Sequence, residues 1–120
     1  MTHRLFTAKI IFDDITMVVH LYKLRSGPKK FRAEFIDDKT KKKVKTVQFG
    51  SRPYEDYTIH KDPERYRRYV DRHREREDWS RAGKHTAGFW SRWLLWSDPS
   101  FAKALKITEG KLGEKIVHKR

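Results

Sequence analysis

Apolar and polar positions follow a two-residue period through the first half of the chain and a helical period through the second. The run Leu5 to Phe12 is dense in branched and aromatic residues, and Asp13-Asp14 breaks it. A second strand is predicted over Thr16 to Leu24, closed by the turn signal Ser26-Gly27-Pro28. From Phe31 to Ile36, Phe31, Ala33 and Phe35 alternate with Arg32, Glu34 and Ile36, the pattern of a half-buried strand. After the polar loop Asp37 to Lys43, Val44 to Phe49 alternates again, with Val47 and Phe49 on one side and Thr46 and Gln48 on the other. These runs predict a small antiparallel sheet of three to four strands joined by hairpins.

Beyond Phe49 the period changes. Gly50, Ser51 and Pro53 argue against a regular element, so residues 50–61 read as a linker whose tyrosines hold it down. Asp62-Pro63-Glu64 is a helix start: an acidic cap, proline in the first turn and a carboxylate near the positive end of the dipole. Tyr66, Tyr69, Val70 and His73 recur on one face of that helix, while Arg65, Arg68, Arg72 and Arg76 step along another. Thr86 caps a short apolar helix in which Phe89, Trp90, Trp93, Leu94 and Trp96 cannot all point one way. That helix is therefore expected to be largely buried, with Trp90, Trp93 and Trp96 serving the core. Asp98-Pro99 starts a third helix through Phe101, Ala102, Leu105 and Ile107, and residues 108–120 read as a frayed tail. The expected architecture is a single α+β domain: strands over 5–49, a linker over 50–61 and two to three packed helices over 62–107.

Composition narrows the function. The chain has 120 residues, 29 Lys and Arg against 16 Asp and Glu, and a formal charge of +13. The excess is present in both halves, so it is not a basic tail on a neutral domain. Self-repulsion at this charge is relieved by a polyanionic partner, nucleic acid above all, or by an acidic protein surface. Charged residues make up 38% and hydrophobic ones only 37%, but four Trp, five Tyr and seven Phe supply enough large rings for a folded core. The absence of cysteine excludes disulfides, thiolate metal sites and cysteine nucleophiles. No secretory leader is expected from the opening residues. No apolar run approaches the roughly 18 residues that a membrane-spanning helix needs.

The candidate polyanion contacts are Arg65, Arg68, Arg72 and Arg76 on the helix, and Lys41, Lys42 and Lys43 in the hairpin loop. Guanidinium forks match phosphate oxygens, and flexible lysines add salt-sensitive attraction without reading bases. Lys29, Lys30 and Arg32 raise the same prospect at the opposing turn. Tyr54 and Tyr57 have the chemistry to stack on exposed bases. His60, His73 and His85, with Asp56 or Asp62, have the chemistry of metal ligands, but their spacing matches no short ligand motif. Each is expected to hydrogen-bond structurally, and no metal or other cofactor is expected. No paired carboxylates, phosphate loop or activated nucleophile indicates catalysis. The expectation is a binding protein and not an enzyme.

One block carries a family resemblance. Phe49-Gly50 is followed by Tyr54, Asp56, Tyr57, Thr58 and then His60-Lys61-Asp62. Beyond these come Tyr69 and Arg72-His73, then Thr86-Ala87-Gly88, Ser91-Arg92 and Leu95-Trp96. Between Val47 and Pro99 the chain resembles a family of small uncharacterised basic proteins of large nucleocytoplasmic DNA viruses. The resemblance implies a viral protein of the virion or of the infected cell, in the host cytoplasm or nucleus, and assigns it no reaction. Two roles suit such a setting. One is an architectural nucleic-acid binder with little sequence preference, DNA ahead of RNA. The other is a minor structural protein of the capsid or core, bridging larger proteins through acidic and aromatic contacts. A homodimer is compatible with the edge strands and surplus aromatics.

Overall fold

The computed structural model of the protein describes residues 16–119. The predicted strand over Leu5 to Phe12 lies outside that range. Within it the chain forms β1 (Met17–Lys23), β2 (Lys29–Asp37) and β3 (Lys43–Ser51), followed by α1 (Tyr57–His60) and α2 (Pro63–His73). A 3-10 turn over Arg81–Gly83 leads into α3 (Ala87–Trp90), which runs on as a π-helical turn over Ser91–Leu95. Next come α4 (Phe101–Leu112) and β4 (Lys115–Lys119). No described helix is long and apolar enough to cross a membrane.

The architecture is α+β, as the pattern predicts, but the sheet is mixed. Its order is β3-β2-β1-β4, with β2 antiparallel to both β1 and β3 and β4 parallel to β1. The alternation read from the sequence sets the buried face: Val19, Leu21, Phe31, Ala33, Phe35, Val47 and Phe49 all point into the core. The expected frayed tail is corrected here. Thr108 and Leu112 are fully buried on α4, Gly113 ends that helix at φ +74°, and Ile116 pairs with Val19. Glu109 accepts a hydrogen bond from the Ile116 amide at 2.8 Å, which fixes the turn into β4.

Two other boundaries move. Gly50 and Ser51 belong to β3, and the linker contains α1, capped by Asp56 accepting from the Thr58 amide. Gly50 takes φ +76°, a conformation that favours glycine, and lies under Leu95, whose Cδ1 would be 2.9 Å from any added Cβ. The third helix starts at Phe101 with Ser100, rather than Asp98, as its cap.

The apolar segment over α3 and the π turn fills the space above the sheet. Phe89, Trp90, Leu94 and Leu95 are buried, two adjacent pairs separated by five positions. A π turn, with its i to i+5 repeat, brings both pairs to one face. Trp90 is the centre of this core. It stacks on Phe49 at 5.6 Å, meets Phe35 edge-on at 6.0 Å, and donates from Nε1 to the Lys84 carbonyl at 2.9 Å. Trp93 and Trp96 are half-buried and pack against the core from outside.

Candidate functional site

The helix α2 docks on this core through rings. Tyr69 lies parallel to Trp96 at 4.3 Å and against His73 at 4.4 Å, while Tyr66 stacks on Tyr57 at 4.8 Å. Arg92 ties the two helical segments together. Its guanidinium lies over the rings of Trp93, Trp79 and Tyr66 at 4.4, 5.1 and 5.6 Å, and donates to the Trp96 carbonyl and the Tyr66 hydroxyl. The sequence signal for this role is a single cation inside an aromatic helix.

Docking α2 in this way leaves a concave cleft between it and the end of the β2–β3 hairpin, with a volume of about 440 Å³. Arg65, Arg68 and Arg72 form one wall, and Lys29, Lys30, Gly50 and Ser51 form the other. Glu77 closes one end beside Gly88, where a Cβ would come within 2.9 Å of the Glu77 carboxyl carbon. Its carboxylate also accepts from Trp79 Nε1 at 3.0 Å and lies 3.3 Å from His73 Nδ1.

The cleft's cations differ in what they already hold. Lys30 is committed: its ammonium pairs with buried Asp56 at 2.9 Å, with both side chains nearly out of solvent. Asp56 also accepts from the Thr58 amide and hydroxyl, so this buried pair is fully bonded and locks β2 to α1. Arg65 pairs with Glu55 at 3.1 Å, but both ends are exposed, and such pairs contribute little and exchange readily. Arg68 and Arg72 are exposed and have no carboxylate partner among the described residues. Among the described residues Lys29 reaches only the Ser51 hydroxyl, at 3.4 Å. Burial pushes the Tyr69 phenol up, with Glu77 adding to the effect, so it brings no negative charge to the cleft.

The other predicted contacts lie elsewhere. The helix ends at His73, short of Arg76, whose guanidinium folds back to donate twice to the Arg72 carbonyl, at 3.1 and 2.9 Å. It serves as a C-terminal cap and does not line the cleft. Lys41, Lys42 and Lys43 are all exposed, at the opposite end of the hairpin from Lys29 and Ser51. The strand rise puts them about 25 Å from the cleft. Lys41 is held by Asp38 at 3.1 Å, and Lys43 lies 3.9 Å from Glu34. The arginine helix is therefore joined to the lysines of the opposing turn and not to the lysine loop.

His60, beside Tyr57 and Trp96, accepts the Asp62 amide on Nδ1 at 2.9 Å, while its Nε2 is buried with no partner among the described residues. Burial, aided by Arg65, holds its pKa below the ordinary value of 6.5. The unfolded chain therefore takes up the proton more readily, and His60 contributes stability above about pH 6.5 that is lost as the pH falls through its folded pKa. His60→Asn keeps an acceptor for the Asp62 amide and removes the titration. Urea midpoints at pH 7.5 and pH 5.0 should differ less in the variant than in the parent. An unchanged difference would place the pH dependence elsewhere. Among the described residues, no three His, Asp or Glu side chains gather in a metal-binding group.

No curated protein and no solved structure matches the chain. Residues 19–73, which run from β1 through the end of α2 and so include both walls of the cleft, are similar to a family of unknown function, DUF5754.

Proposed function

We propose that the protein binds the phosphate backbone of nucleic acid through this cleft, with little sequence preference and without catalysing a reaction. The observation that carries the reading is the cluster of Arg68, Arg72 and Lys29, three cations without a carboxylate partner among the described residues, on facing walls of one concavity. Uncompensated guanidinium groups in a cleft repel one another, and an anion bridging them relieves that cost. Backbone contact of this kind positions a nucleic acid without reading its bases. The setting we propose is that of a large DNA virus, in the virion or the infected cell. The exposed large hydrophobics favour this reading over a role in bridging proteins. Val44 sits at the loop end of the hairpin, Tyr54 in the cleft, and Ile59 in a separate groove with Phe31 and Phe101. Among the described residues, these three lie apart from one another, whereas a protein interface is marked by a contiguous apolar patch.

The test is fluorescence anisotropy with labelled DNA, single-stranded and duplex, across about 50 to 300 mM salt, a range over which backbone contacts weaken steeply. Binding is expected at micromolar levels or tighter, with log affinity falling linearly against log salt at a slope implying about three phosphates. No binding at the lowest salt would overturn the reading.

A further inference from the structure

The shape of the cleft bears on which form of nucleic acid it takes, an inference that rests on the reading above. A helix that enters a duplex groove presents its basic face as a protruding ridge. Here Arg65, Arg68 and Arg72 instead line one wall of a cleft, with Lys29 and Ser51 on the other. The volume of about 440 Å³ suits a ligand of nucleotide size.

The aromatic residues around the cleft separate into two kinds. Tyr69 is sandwiched between Trp96 and His73, Trp96 faces Tyr69 on one side and His60 at 5.1 Å, and Tyr57 is covered by Tyr66. These rings are spent on one another. Tyr54 lines the same cleft, is 72% exposed, and has no ring partner among the described residues. Its backbone is nevertheless held, since its amide donates to the Ser51 carbonyl at 3.1 Å. An open ring on a held backbone, beside cations without carboxylate partners among the described residues, is the combination that binds unpaired nucleotides, with phosphate on the guanidinium groups and base on the ring.

We infer that the cleft is a single-strand site: Arg68, Arg72 and Lys29 hold the phosphates and Tyr54 stacks on an unpaired base. Such a site prefers single-stranded over duplex nucleic acid of the same length, and the ring contributes through any base because every base has a stacking face.

The experiment compares a labelled oligothymidylate of about 8 nucleotides, within the usual site sizes, with a duplex of equal length at one salt concentration. The single strand is expected to bind at least tenfold more tightly. Tyr54→Ala should weaken it on the order of tenfold without changing the salt slope, and Tyr54→Phe should restore it, since stacking needs the ring and not the hydroxyl. Tyr54 is exposed, so the variants should retain the parent's thermal midpoint. Equal affinity for the two forms, or a Tyr54→Ala variant that binds like the parent, would overturn the single-strand site while leaving the backbone reading intact. Failure of either form to bind would overturn both.

Discussion

Trp90→Ala is expected to lower the unfolding free energy by about 4 kcal/mol, a large share of the roughly 5–15 kcal/mol that holds a domain of this size together. The indole is fully buried, stacked on Phe49 and edge-on to Phe35, so its removal strips the sheet of its main partner and leaves a cavity walled by rings. The Lys84 carbonyl also loses its donor. Rings cannot collapse into that space without leaving their rotamers, and this puts the site at the costly end of large-to-small substitutions. Urea unfolding followed by far-UV circular dichroism measures the change. Trp93→Ala is the internal comparison, since Trp93 is half-buried at the rim and donates to the Trp79 carbonyl from outside the core. Its cost should be well below that of Trp90→Ala. Equal costs would mean that the core is not organised about Trp90.

The second large effect is on binding. The double variant Arg68→Glu/Arg72→Glu should weaken oligonucleotide binding on the order of 100-fold at about 0.1 M salt. Each reversal removes a phosphate contact and places a carboxylate in its stead. The salt slope should fall by about 1.4 for a single strand, the loss of two neutralised phosphates. Both side chains are exposed and lack a carboxylate partner among the described residues, so the fold should stay within about 0.5 kcal/mol of the parent. Lys41→Glu/Lys42→Glu makes the same change in net charge in the hairpin loop, about 25 Å from the cleft by the strand rise. At that salt the screening length is about 10 Å, so a short oligonucleotide in the cleft should lose only a few-fold. Equal losses for the two double variants would show that diffuse net charge attracts the nucleic acid, and that the cleft does not.

The three hairpin strands were legible because each is buried on one face and their partners are near in sequence. Phe31, Ala33 and Phe35 on β2 meet Val47 and Phe49 on β3 through one short loop, so local alternation is enough to place them. The start of α2 was legible for a similar reason: Asp62 accepts the Glu64 amide and Pro63 sits in the first turn, all within three residues. β4 was not. Lys115–Lys119 has only two apolar residues, Ile116 and Val117, and only Ile116 is buried. The strand exists because α4 returns the chain beside β1, which no local pattern records.

The site divides in the same way. By itself the sequence determined that the protein is strongly basic, that Arg65, Arg68 and Arg72 share one helix face, and that its aromatics are numerous enough to build a core. Charge and helical period are properties of short stretches of chain, so these needed no partner to be read. Tertiary structure alone decided which lysines face that helix, that Arg76 turns back to cap it, and that the arginine face lines a cleft. It also decided that Lys30 is neutralised by Asp56, and that Tyr54 keeps an open ring while its neighbours stack on one another. The reason is physical. Whether a cation or a ring is free for a ligand depends on what lies beside it in space, and the rings of Tyr69, Trp79, Trp93 and Trp96 set that geometry by docking α2 through Arg92.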